Sequence, residues 1–252
     1  MNWLETHMLD RAVRSLRKHG VFPTAGKAVS ACLETVIHPR HLSSHLRVPL
    51  EMIRHPEHIH HWVADRFRTS RALDQGVPWL AWPCVDYLSE YVTPQHKVFE
   101  WGGGGSTVFF LKKGCALTTI ESNEGWRDQL RAGIDSENST RWDLRFVPAD
   151  SSNAPGQQDY INSVSSGGPW DVVLVDGWNR PECAARAREW VRPGGILVFD
   201  NTDKPKYSSV PELFAGWTRK EFRGLGPARS WTTKTDVYIK PKALDLSSAR
   251  TS

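Results

Sequence analysis

From residue 97 onward the apolar positions keep changing period. Short consecutive runs, such as Val98-Phe99, Val172-Val173-Leu174-Val175 and Ile196-Leu197-Val198-Phe199, alternate with stretches whose apolar residues return every three or four positions. The first pattern reads as strand and the second as helix. It predicts strands at 97–101, 116–121, 143–148, 170–176, 195–200, 218–224 and 233–240. The helices fall at 106–113, 124–132, 157–165, 181–191 and 208–216. Strands apolar on both faces, alternating with helices, imply an α/β protein with a buried parallel sheet. The last two strands have no helix between them, so an antiparallel finish is expected.

Before residue 97 the pattern is mostly helical, at 3–19, 25–37, 47–54 and 56–73, while 79–92 begins with a turn at Pro83 and continues as a helix. The first of these sets Leu4, Met8, Ala12, Val13 and Leu16 against Arg11, Arg14, Arg17 and Lys18. Such a stripe more often packs on its own protein than on a membrane surface. The 56–73 helix places Ile59, Trp62, Val63 and Phe67 on one face and His58, His61 and Asp65 on the other. The latter spacing suits a metal or an acceptor, but it reads as a solvent-facing histidine group. Gly76-Val77-Pro78 breaks the helical region. The expected domains are an N-terminal helical cap at 1–76, the main α/β domain at 77–240 and a flexible tail at 241–252.

One stretch points to chemistry. Residues 97–107 read Lys-Val-Phe-Glu-Trp-Gly-Gly-Gly-Gly-Ser-Thr, a strand, a turn without side chains and a capped helix start. A ligand can approach the main chain only where no Cβ stands in the way. The following helix start offers free N–H groups and the positive end of a dipole. The phosphate loop Gly-x-x-x-x-Gly-Lys-Ser/Thr is absent, and the dinucleotide pattern Gly-x-Gly-x-x-Gly fails at Thr107. Acids stand at successive predicted strand ends: Glu100, Glu121, Asp150, Asp176 and Asp200. Ligands of open α/β sheets bind at those ends, and an acid after the second strand can accept from ribose hydroxyls.

Glu-x-Gly-x-Gly-x-Ser at 100–106 resembles the first motif of the class I S-adenosylmethionine methyltransferases. A second segment, Asp176-Gly177-Trp178-Asn179-Arg180-Pro181-Glu182-Cys183 followed by Arg192-Pro193-Gly194-Gly195 and Asp200-Asn201, resembles the fourth and fifth strand region of the same superfamily. The chain looks closest to bacterial small-molecule methyltransferases that read Phe-Glu-Trp/Tyr-Gly-x-Gly-x-Ser-Thr early and Asp-Gly-x-x-Arg-x-x-Cys later. Gly103, where those relatives usually carry serine, is a minor departure. The resemblance spans about 79–240 and implies a Rossmann-like sheet of seven strands, mostly parallel with the last antiparallel.

Carried over by position, the resemblance has Glu100, Gly102 and Gly104 line the methionine part of S-adenosylmethionine, with Ser106 near its carboxylate. Glu121 would hold the ribose, Asp150 the adenine, and Asp176 the region of the sulfonium and the incoming nucleophile. Arg180 is a candidate anchor for an acidic or hydroxyl-rich acceptor, and Gly226–Trp231 a candidate acceptor wall. Asp176, Asp200 and Asn201 also match the Mg²⁺ ligands of catechol-type O-methyltransferases. Asn179 stands where those enzymes place a lysine, so no metal is the favoured reading. Asp176 then positions substrate and Asp200-Asn201 caps a strand end. The base for an oxygen acceptor is left between Asp176, Asp200, Asp203, a metal-activated hydroxyl and an N-terminal histidine, because no histidine follows His96.

Composition adds bounds. The net charge of +4 arises within residues 1–75, with 11 Lys/Arg against 7 Asp/Glu, which is too small an excess to argue for nucleic acid. Cys32, Cys84, Cys115 and Cys183 form no Cys-x-x-Cys pair, so reduced thiols in the cytoplasm are expected. No apolar run is long enough to span a membrane. The expected activity is methyl transfer to a small-molecule acceptor, on an oxygen of a sugar or secondary metabolite. Self-association into a homo-oligomer is compatible with it. The rival readings are a metal-dependent catechol-type enzyme, an NAD-linked oxidoreductase and a non-catalytic binding protein on the same fold.

Overall fold

A computed structural model describes residues 46–67, 72–149, 154–227, 229 and 231–242. The predicted helices at 3–19 and 25–37, and Asp150, lie outside the described residues. Seven strands form one sheet: β1 Lys97–Trp101, β2 Ala116–Glu121, β3 Trp142–Phe146, β4 Trp170–Val175, β5 Val191–Asp200, β6 Thr218–Leu225 and β7 Thr232–Ile239. Their order is β3-β2-β1-β4-β5-β7-β6. β7 runs antiparallel to both neighbours, and the other pairs are parallel. This is the Rossmann-like sheet of seven strands, mostly parallel with the last antiparallel, that the resemblance implied.

The sheet is buried on both faces because its central strands alternate between two cores. Val98, Val172, Leu174, Ile196 and Val198 face one side. There the helices α4 (Trp82–Tyr91) and α5 (Gly105–Lys112) supply Cys84, Val85, Leu88, Phe110 and Leu111. Phe99, Trp101, Val173, Val175, Leu197 and Phe199 face the other side. That face is covered by Tyr160 of α8 (Ala154–Asn162), by Cys183, Ala184 and Ala187 of α9 (Arg180–Ala187), and by Val210 of α10 (Val210–Leu213). The remaining helices are α1 (Val48–Arg54), α2 (Ile59–Phe67), α3 (Ala72–Gln75), α6 (Glu124–Gly133) and α7 (Ser136–Ser139). Val48 of α1 belongs to the first core, with Met52 and Trp62 packed against it. Among the described residues no helix is long and apolar enough to cross a membrane.

Three predicted elements differ. The 56–73 helix is interrupted: Pro56–His58 is a 3₁₀ turn, and α2 continues only to Phe67 before the described residues resume at Ala72. The 208–216 helix shrinks to Val210–Leu213, hemmed by Pro205 and by Gly216 in the left-handed region. β5 begins at Val191 rather than after the Pro-Gly-Gly turn, since Val191 pairs with Trp170 and the register then shifts to Val172 beside Ile196. Those intervening residues bulge out of the ladder.

Candidate functional site

β1 ends at Trp101, and the chain turns through Gly102-Gly103-Gly104 into α5. Gly102 lies at φ +83°, and a Cβ there would stand 3.0 Å from Gly177 Cα. A Cβ on Gly103 would meet Leu130 Cδ1 at 2.6 Å and Thr119 Cγ2 at 2.9 Å. These two glycines answer to protein already packed around them. Gly104 does not, for nothing lies within 4 Å of where its Cβ would be. It faces a cavity of about 320 Å³ lined by residues 102–106 of the turn with Trp79, Trp126 and Asp176. Gly104→Ala is therefore expected to fold with stability within about 1 kcal/mol of the parent, yet to weaken any ligand that fills the turn tenfold or more. Gly102→Ala should instead lower the melting temperature, and thermal unfolding beside ligand titration separates the two.

Glu100 is not on the cavity wall, contrary to its expected place along the methionine part. Its carboxylate is fully buried beneath the turn, on the face that carries α5. It accepts from Ser106 Oγ at 2.7 Å, Thr107 Oγ1 at 2.5 Å and Thr119 Oγ1 at 2.8 Å. Thr107 Oγ1 in turn accepts from Gly104 N–H at 2.9 Å, and Thr119 Oγ1 from Trp142 Nε1–H at 2.9 Å. Burial pushes the Glu100 carboxyl up to about 7, against the three hydroxyls that hold it down. Glu100 ties the end of β1 to the start of α5 and to β2. Ser106 does line the cavity, with its hydroxyl committed downward to Glu100.

Glu121 ends β2 beside the turn. Its Oε1 accepts from Ser122 and Asn123 N–H at 2.8 Å each, and its Oε2 from Gly103 N–H at 3.3 Å. Trp126 was not legible as a site residue in the sequence, although its place in the first turn of α6 was. Asn123 caps that helix by accepting from Trp126 N–H at 2.8 Å, and first-turn side chains lean back toward the strand end. The Trp126 indole N–H then donates to Gly103 O at 2.8 Å, fixing its ring along the cavity. Trp79, from the loop before α4, was missed as well; nothing but its aromatic character marked it.

Asp176 reaches the cavity after β4, and its Oδ1 lies 2.6 Å from Arg180 Nη2. Arg180 is no free anchor for an acceptor. Its guanidinium donates to the main-chain oxygens of Asp176 at 2.9 Å, Gly177 at 3.1 Å and Asp200 at 3.1 Å. With the ion pair to Asp176, those bonds use the fork of donors to lock the ends of β4 and β5 together. Asp200 is fully buried and accepts from Thr235 Oγ1 at 2.8 Å and from Asn201 Nδ2. Burial raises its carboxyl above the ordinary range.

Asp176, Asp200 and Asn201 do not fit Mg²⁺. Arg180 lies 2.6 Å from Asp176 and 3.8 Å from Asp200, and Lys204 Nζ donates to Asn201 Oδ1 at 2.5 Å. Two built-in cations occupy the oxygens a metal would need. Lys204 also lines a second cavity of about 380 Å³ with Gly177–Glu182, Lys206 and Tyr207. Burial, and then the Arg180 and Arg229 guanidiniums, hold its ammonium below the usual lysine range. Of the expected acceptor wall at 226–231, Ala228 and Ser230 lie outside the described residues; Arg229 Nη2 comes within 4.0 Å of Asp200 Oδ2. His58 does not face solvent with His61: it is buried, and its ring meets Asp86. The side chain of Asp65 lies outside the described residues.

No protein-family model matches the chain. Among curated proteins, the 1,3-beta-galactosyl-N-acetylhexosamine phosphorylase of Bifidobacterium longum is 29% identical over 116 residues. That match covers 44% of this chain and 15% of the phosphorylase, so the chain spans well under two thirds of that relative. Among solved structures, the O-methyltransferase TomG of Streptomyces achromogenes, in complex with SAM, is similar at TM-score 0.49 and 19% identity, over 69% of this chain and 91% of that one. An O-methyltransferase of Bacillus cereus, in complex with SAH, is similar at TM-score 0.45 and 19% identity, over 67% and 77%. A putative rRNA methylase of Clostridium thermocellum scores 0.47 at 13% identity, over 70% and 99%. Likeness at these levels bears on no residue and no substrate.

Proposed function

We propose that this chain, with its class I methyltransferase strand order, holds S-adenosylmethionine in the glycine-turn cavity and passes its methyl group to an oxygen of a small molecule, a sugar or secondary metabolite. One observation carries the reading: the turn leaves room for a ligand at Gly104, where the space opens between two indoles and Asp176. The sulfonium of the bound nucleoside supplies an electrophilic methyl. Gly105 and Ser106 open α5 with N–H groups free of intrahelical partners, suited to a carboxylate. Glu121, oriented beside the turn by three N–H donors, would accept from ribose hydroxyls, each charge-assisted bond contributing ~1.5–3 kcal/mol.

Trp79 and Trp126 wall off water, and Asp176, pinned by Arg180, aligns the acceptor. Alignment of this kind lowers a barrier by ~7–11 kcal/mol. The second cavity suits an acceptor carrying an acidic group, since Lys204 and Lys206 line it against the single carboxylate of Glu182. The 1–76 region would cap this cavity. Isothermal calorimetry with S-adenosylmethionine, its demethylated product and NAD tests the reading. Micromolar binding of the first two is expected; tighter binding of NAD would overturn it.

A further inference from the structure

We propose that His55, Glu57 and His58 form a binding site for a divalent cation of the zinc class, apart from the glycine-turn cavity and independent of its function. Each offers a donor atom, and these atoms lie within 4.8 Å of one another. The sequence pointed to a different set, His58 with His61 and Asp65. The break of that helix at Pro56–His58 puts His58 beside its upstream neighbours instead.

The second observation is the state of the His58 ring. It is 3% exposed, and its Nε2 meets Asp86 Oδ2 of α4 at 2.6 Å. A carboxylate only accepts, so Nε2 carries the proton. The other nitrogen, Nδ1, is buried without any partner. An imidazole oriented by a carboxylate on one nitrogen, with the other left open, is the arrangement that metal-binding histidines show. His55 Nδ1 and Glu57 Oε1 are 3.2 Å apart. Tetrahedral sites with bonds of ~2.1 Å need donors roughly 3.4 Å apart. The side chains of His55 and Glu57 are 34% and 58% exposed, so rotations can close the set around His58. Two imidazoles and one carboxylate select zinc-like ions over Mg²⁺ or Ca²⁺, which take oxygen ligands. An ion held there would fasten the 46–67 segment to α4 through Asp86.

The test titrates Co²⁺ into the full chain, stripped with chelator, and follows visible d–d absorption, with Zn²⁺ as competitor. One Co²⁺ per chain, displaced by Zn²⁺, is expected, together with a higher melting temperature in Zn²⁺. The double variant His55→Gln/Glu57→Gln leaves the buried His58 in place and should weaken binding at least tenfold. Asp86→Asn should weaken it ~10–100-fold through ring orientation. A parent chain without the cobalt band, or a double variant that binds as tightly as the parent, would overturn the site. S-adenosylmethionine affinity is read separately and bears only on the other cavity.

Discussion

Glu100→Ala should unfold about 10 °C or more below the parent chain, although no atom of the cavity wall is removed. The substitution strands the hydroxyls of Ser106, Thr107 and Thr119, which have Glu100 as their buried acceptor. Each unpaired group costs ~1–3 kcal/mol, and for a chain of this size 1 kcal/mol moves the melting point by ~2–4 °C. The pH dependence is the sharper signature. The Glu100 carboxyl rises from an ordinary 4.5 to about 7 on folding. Between those values the folded chain binds the extra proton, so stability is fullest below pH 4.5 and is lost as pH climbs through 7. At ~1.4 kcal/mol per unit the span amounts to roughly 3 kcal/mol. Asp200, raised in the same direction, adds to the slope. Glu100→Gln keeps an acceptor and cannot ionise, so it should flatten the decline. Denaturant melts from pH 5 to 8 give the answer, and a parent chain that gains stability over that range would refute the role assigned to Glu100.

Arg180→Met should lose about 3–5 kcal/mol of stability and, with it, the proposed methyl transfer by ~10²-fold or more. Removing the guanidinium leaves Asp176 without its ion pair and Asp200 with Arg229 alone, and frees the carbonyls of Asp176, Gly177 and Asp200. Arg180→Lys should not rescue, because one ammonium cannot span three carbonyls that a planar fork reaches together. Product binding in the glycine-turn cavity should change far less than turnover, since Arg180 does not line it. Thermal melts, product affinity and turnover measured on both variants decide this. A lysine variant with the parent's melting point would show that the fork is dispensable.

The sheet was legible because strands such as Val172–Val175 are apolar on both faces and leave little choice of period. Strand ends fixed the acids to one edge for the same reason. What could not be read was direction. Glu100 sits on a strand where one residue's difference in pleat separates a cavity-facing side chain from one under the turn, and the sequence pattern gives no sign of which. Arg180 reads from the sequence as an anchor for an acceptor; only the closeness of the β4 and β5 ends turns it onto their main-chain oxygens. Trp79 and Lys204 come from loops, whose course depends on contacts far away in the chain. The long helix predicted at 56–73 failed at Pro56, where the chain makes a tighter 3₁₀ turn before α2 and so carries His58 toward Asp86.

Val48 packs in the same core as Leu80, Val85 and Leu225, although it precedes the break at Gly76 by many residues. A shortened chain trimmed at that glycine would therefore expose a greasy scar along α4 and β6 and invite aggregation.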